Sequence, residues 1–164
     1  MTISTEYRIL EADQPDKAFR IFQKRADKLE YSIGHFENKF FVHTNLDAKN
    51  FRLMETAENA TEKENWKEVI PHRSDVLLEG MDIFKDYLVL AERINGISQI
   101  RIKPWVGAEH YVDFGQEAFM AYTTANFEFD TKILRLGFTS MTTPNSVFDY
   151  DMISKKMTLS LIHI

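Results

Sequence analysis

Three times in this chain of 164 residues an aromatic side chain opens a charged turn that leads into two apolar runs. The stretches begin at Phe36, Phe84 and Phe129, spaced 48 and 45 residues apart. After each opening come the turns Glu37-Asn38-Lys39, Lys85-Asp86 and Asp130-Thr131-Lys132. A repeat of this length constrains the fold more than any other feature. One unit of that size cannot bury its apolar face alone, so copies must stack.

The runs after the turns, Phe40 to Thr44, Tyr87 to Arg93 and Ile133 to Thr139, read as strands, with Phe41, Leu88 and Leu134 expected at equivalent places in successive copies. Second strands follow at Asn50 to Glu55, Ser98 to Lys103 and Ser146 to Asp151. Asn95-Gly96 between apolar runs predicts a tight hairpin, because both residues tolerate the positive φ of a type I′ turn. In "QIRIK", Ile100 and Ile102 face one way, Arg101 and Lys103 the other. "YLVLA" from Tyr87 is apolar on both faces, as in a strand enclosed by neighbours. Tyr31 to Ile33, Val76 to Leu78 and Ala118 to Tyr122 supply a first strand for each unit. Trp66 to Ile70, His110 to Phe114 and Lys156 to Leu159 supply a last one.

Four strands in about 46 residues, repeated, are the blades of a β-propeller. "TEYRIL" and "AFRIFQ" stand about 47 residues before the strand of Leu53 and before "WKEVI", which adds half a blade. The expectation is an all-β partial β-propeller: half a blade over 1–30, then blades over about 31–70, 71–115 and 116–159. Thr61-Glu62-Lys63-Glu64 predicts one capped helical turn before Trp66. No interdomain linker is apparent.

Composition narrows the function classes. At 44% hydrophobic and 27% charged the chain reads as globular, and its 13 Phe and 6 Tyr favour strands. A net charge of −5 argues against a nucleic-acid partner. With no cysteine there is neither a disulfide nor a thiolate metal site. The first ten residues lack the basic head and apolar core of a signal peptide, and no run approaches about 18 apolar residues. A cytoplasmic chain without membrane contact is expected.

No stretch of the chain completes a catalytic motif. "GFTSM" at Gly137 has the wrong spacing for a nucleophile elbow, and Thr139 and Ser140 read as the end of a strand before Pro144. The five histidines are scattered; His43 and His110 belong to strands, His72 follows Pro71, and His163 lies in the tail. Asp113-Phe114-Gly115 and "HRSD" from His72 mimic kinase motifs, yet their separation is about 40 residues and no glycine-rich loop precedes them. Asp149 and Asp151 share a strand face, where Lys155 or Lys156 are the expected partners rather than a sugar. No residue is assigned a catalytic, cofactor-binding or metal-binding role, and no cofactor is implied.

The repeated phrases are specific in another way. "TNLDAKNFRL", "WKEVIPHR" and "TSMTTPNSVFDYD", in that order, resemble the propeller of the prolyl oligopeptidase family, and within it the oligopeptidase B or protease II branch. The resemblance runs from about Thr5 to Leu159. It implies a seven-bladed propeller that caps a C-terminal α/β-hydrolase domain and limits substrate size. That domain carries a Ser, Asp and His triad and cleaves short peptides after Lys or Arg. It also implies that this chain starts inside the fourth blade, holds the fifth to seventh, and lacks the triad. The tail "SLIHI", residues 160–164, departs from the family pattern.

The expected function is therefore that of a non-catalytic propeller fragment of a serine oligopeptidase. A free-standing propeller scaffold for protein partners is the alternative. Open blade faces predict self-association.

Overall fold

The computed structural model describes residues 3–162. Fourteen strands and a single 3-10 turn make up its regular structure. The chain divides into two compact units, residues 1–74 and 75–164.

In the first unit, β1 (Arg8–Ile9) pairs antiparallel with β2 (Arg20–Ile21). A four-stranded antiparallel sheet follows, of β3 (Tyr31–Phe36), β4 (Lys39–Thr44), β5 (Arg52–Ala57) and β6 (Lys67–Ile70), hydrogen-bonded in sequence order. Its core gathers Phe22, Leu29, Tyr31, Val42, Met54 and Trp66. Phe22 meets Phe40 edge-on at 5.1 Å and Trp66 at 6.4 Å. The polar tips of this aromatic group are satisfied. Tyr31 Oη donates to the Gln23 carbonyl at 3.1 Å and accepts the Tyr7 N–H at 3.0 Å, and Trp66 Nε1 donates to the Thr61 carbonyl.

The expected helical turn forms only as a 3-10 turn, Lys63–Asn65. Its N-cap is Glu62 rather than Thr61, and no side chain caps it. Here the Gln23 amide oxygen accepts the Lys63 N–H at 2.7 Å, so a tertiary contact replaces the local cap.

The second unit holds two sheets. One contains β7 (Val76–Ile83), β8 (Tyr87–Ile94), β9 (Ile97–Pro104) and β10 (His110–Tyr111). The other contains β11 (Phe119–Thr123), β12 (Ile133–Ser140), β13 (Ser146–Asp151) and β14 (Lys156–Ile162). Asn95 and Gly96 turn β8 into β9 with φ of 50° and 81°, as the hairpin reading requires. Tyr87, Leu88, Val89 and Leu90 are all buried, so β8 is enclosed on both faces.

The two sheets pack through one apolar cluster. Phe84, Tyr87, Val89, Ile100, Ile102 and Val112 come from the first; Ala121, Leu134, Leu136, Phe138, Tyr150 and Met152 come from the second. Ile100 and Ile102 thus face the core as alternation predicts. Arg101, on the opposite face, is buried too, against expectation.

The twelve strands expected for whole blades are present, with shifted ends. β10 stops at Tyr111; past it, Val112 N–H still bonds the Ile100 carbonyl, and the Gly115 N–H closes a turn onto Asp113 Oδ1. β14 continues past Leu159 to Ile162, within the "SLIHI" tail; His163 lies outside the described residues. Phe36 ends β3 and Phe84 follows β7, whereas Phe129 sits in a loop well past β11. Phe41, Leu88 and Leu134 all lie on the second strand of their sheets. Leu134 faces the preceding sheet, and Leu88 faces away from the following one. In the first unit Phe40 and Val42 face Phe22, so Phe41 looks the opposite way, one residue out of step.

Candidate functional site

Loops place chemistry-bearing side chains at one end of the second unit. β9 ends at Pro104 with Trp105 just after it, β10 starts at His110, and the β13–β14 turn carries Met152, Ile153 and Lys155. Together with Asp86, Tyr87 and Lys132 they line a cleft of about 510 Å³.

Backbone bonds fix this end. The Trp105 N–H donates to the Asp86 carbonyl at 3.1 Å, and Trp105 Nε1 donates to the Phe84 carbonyl at 3.2 Å. The Met152 N–H donates to the Lys132 carbonyl at 2.9 Å. Asp151 accepts the N–H groups of Ile153 and Ser154, both at 2.9 Å, which holds its carboxyl below the usual carboxylate range. Lys155 adopts φ of 59°, and its N–H bonds the Asp151 carbonyl.

His110 Nε2 lies 2.8 Å from Tyr150 Oη, a bond that joins the two sheets. Burial, and after it the Lys155 ammonium, lower the His110 pKa from the ordinary histidine value. Burial, then Asp151 and Asp113, raise that of Tyr150. At neutral pH the imidazole is therefore neutral beside a protonated phenol.

A second polar group lies on β8, β9 and β10. Glu92 is 0% exposed; its Oε1 lies 3.2 Å from Arg101 Nη2, and its Oε2 accepts from Tyr111 Oη at 2.7 Å. Arg101 Nη1 also reaches Glu109 Oε1 at 3.3 Å, while Arg101 Nε is buried without a hydrogen-bond partner among the described residues.

The residues weighed in the sequence fall elsewhere. Thr139 Oγ1 donates to the Thr143 carbonyl, and Ser140 Oγ accepts the N–H groups of Thr142 and Thr143, so both close the β12–β13 connection. His43 is buried and stacks on Phe51 at 4.7 Å. His72 Nε2 is buried without a hydrogen-bond partner among the described residues. Asp149 pairs with Arg135 across the sheet, Nε to Oδ1 at 2.8 Å and Nη2 to Oδ2 at 3.0 Å. Its partner is thus not Lys155 or Lys156. Those lysines sit in and after the turn, whereas Arg135 is directly opposite in register. Among the described residues, no three His, Asp or Glu side chains converge as a metal would require.

Comparison with known proteins decides the lineage. The family model of the prolyl oligopeptidase N-terminal β-propeller domain matches residues 1–161. The chain belongs to the prolyl oligopeptidase family. The chain is 33% identical over 149 residues to dipeptidyl aminopeptidase BI of Pseudoxanthomonas mexicana, a match covering 90% of this chain and 20% of that protein. To protease 2 of Moraxella lacunata it is 25% identical over 153 residues, 91% of this chain and 21% of that protein. It therefore spans about a fifth of the length of these relatives. Oligopeptidase B from Trypanosoma brucei, in the closed form with covalently bound antipain, superposes with a TM-score of 0.90 at 20% identity. That match covers 99% of this chain and 25% of that one. Oligopeptidase B from Leishmania major gives 0.89 at 19% identity, covering 99% and 24%. Both solved structures share the fold: the all-β sheets of this chain are blades of the prolyl oligopeptidase propeller.

Proposed function

We propose that this chain serves as part of the propeller of a cytoplasmic serine oligopeptidase that cleaves short peptides after Lys or Arg. In this reading 1–30 contribute half a blade, and 31–70, 71–115 and 116–159 one blade each. The nucleophile, base and basic-residue pocket belong to a C-terminal α/β-hydrolase domain, and no catalytic, metal or cofactor role falls on residues of this chain. The propeller covers the active site, and an extended peptide passes where a folded protein cannot. The family match over residues 1–161 carries the reading. The absence of cysteine is in keeping with the cytoplasmic placement. Among the described residues no helix is long and apolar enough to cross a membrane.

A second specificity has its own support. The relative at 33% identity is named a dipeptidyl aminopeptidase, which favours removal of dipeptides from an N-terminus. One assay separates the two. The complete gene product is offered arginyl and lysyl peptides with blocked and with free N-termini, at increasing length up to a folded protein. Cleavage of blocked basic peptides that ceases for the folded protein supports the first reading, and a requirement for a free N-terminus two residues from the cut supports the second. Hydrolysis of folded protein as fast as of short peptides overturns the size limit.

A further inference from the structure

We propose that the cleft between β8, β9 and the β13–β14 turn binds a carboxylate carried on an apolar body, with Lys132 and Lys155 as the recognising cations. The inference rests on the geometry of the second unit and stands whether or not the peptidase reading does.

Size and chemistry both point this way. The cleft, about 510 Å³, falls in the range of roughly 300–1,000 Å³ typical of small-ligand sites. Its walls are largely apolar: Tyr87, Pro104, Trp105 and Met152 line it, with Ile153 more than half exposed beside them. An apolar wall with a few fixed polar groups is how such sites set orientation.

The polar groups define the ligand's charge. Lys132 and Lys155 line the cleft, and neither has a carboxylate within ion-pair distance among the described residues. Other lysines do pair: Lys39 with Glu55 at 2.8 Å and Lys85 with Asp130 at 2.6 Å. Asp151 interacts with the Lys132 ammonium from beyond ion-pair distance, and in a chain of net charge −5 a lining of two lysines against one aspartate is still locally positive over an apolar wall. The Lys155 backbone is held in the left-handed region by its bond to Asp151, which fixes where that ammonium starts. His110 adds a ring whose Nε2 is committed to Tyr150 and whose Nδ1 has no hydrogen-bond partner among the described residues.

Asp86 sets the limit. It lines the same cleft and carries a negative charge, so a dense polyanion meets repulsion that a single carboxylate escapes by lying toward the lysines. Phosphate-rich ligands are thereby disfavoured. An apolar monocarboxylate has two sources, a peptide C-terminus with an apolar last residue or a free aliphatic acid.

The test follows the indole N–H resonance of Trp105 in the isotopically labelled full chain. Titrants are N-acetyl-Ala-Leu-Leu with a free C-terminus, the same peptide as its amide, octanoate, and inorganic phosphate. A saturable shift with the free peptide or octanoate is expected, with the tighter of the two naming the source. The amide and phosphate should bind at least tenfold more weakly. The Lys132→Gln, Lys155→Gln double variant should lose at least tenfold in affinity while the Leu134 and Leu136 methyl signals stay in place. Ile153→Asp, on an exposed turn, should weaken binding by a similar factor and gives a second reading if the lysine variant disturbs the fold. No saturable shift with either carboxylate at millimolar concentration would overturn the proposal. So would equal binding of the amide, of phosphate, or by both variants.

Discussion

Tyr122 lies across Gly137, its cross-strand partner, so that a β-carbon on the glycine would overlap the ring carbons Cζ and Cε2. The glycine is required by this close approach and not by its backbone conformation. Gly137→Ala forces the ring to move, and overpacking of this kind costs about 1–3 kcal/mol. Urea unfolding measures it. With Tyr122→Ala already in place the alanine should cost little, and an equal cost in both backgrounds would refute the steric account.

Glu92 and Arg101 form a buried pair on adjacent strands, with Tyr111 completing the carboxylate's second oxygen. Glu92→Ala leaves the buried Arg101 with only the more exposed Glu109, 3.3 Å from its Nη1, so the change is expected to cost about 3 kcal/mol, the low end for a broken buried pair. Replacing both, as Glu92→Leu with Arg101→Met, should cost clearly less than the sum of the single changes. Additive losses in the double-mutant cycle would mean that the two charges do not act as a pair.

His110 gives a pH dependence with a definite sign. Its folded pKa lies below the unfolded value of about 6.5, because burial and the Lys155 ammonium disfavour the imidazolium. The unfolded chain therefore binds the proton first, and stability falls as pH drops from about 6.5 toward the folded pKa. Nuclear magnetic resonance titration should place the midpoint below the ordinary histidine value. Lys155→Gln should move it upward, and an unmoved midpoint would remove Lys155 as a cause.

The hairpin and the alternating strand were open to sequence reading because both depend on near neighbours. Asn95-Gly96 needs only a pair of residues that accept positive φ, and Ile100 and Ile102 need only period-two spacing. Arg101 shows where that reasoning stops. A charged residue opposite two isoleucines is assigned to water by default, yet its burial depends on Glu92 and on Tyr111, which local pattern does not reveal. The partner of Asp149 was missed for a related reason. Register across β12 and β13 selects Arg135, whereas reading along the chain favours the lysines of the next turn. Phe41 falls one residue off because Lys39 reads as part of the turn, whereas it pairs with Phe36 and starts β4 just as Tyr87 pairs with Phe84; one residue of slip reverses a strand's faces. The cleft was invisible for the plainest reason. Its walls come from connections spread over residues 86 to 155, none of which carries a motif of its own.

The face of the second unit turned away from Leu134 carries the last prediction. Met120 and Tyr122 on β11 and Ile133 on β12 are 55%, 46% and 42% exposed, and Phe127 in the adjoining loop is 94% exposed. They surround the Arg135–Asp149 pair, which keeps the centre of the face polar. A four-stranded face of strands about 4.8 Å apart and roughly 18 Å long presents about 350 Å². If a little over half of it is apolar, covering it is worth on the order of 5 kcal/mol at about 25 cal/mol per Å². That is comparable to the stability of a whole marginal domain, about 5–15 kcal/mol. In isolation the chain is therefore expected to self-associate through this face, with the apparent mass in light scattering rising with concentration. Met120→Glu with Ile133→Lys places charge on two exposed positions outside the core cluster, and should return the chain to a monomer without lowering its urea midpoint. A wild-type chain that stays monomeric at high concentration and unfolds cooperatively would show that this face tolerates water unaided.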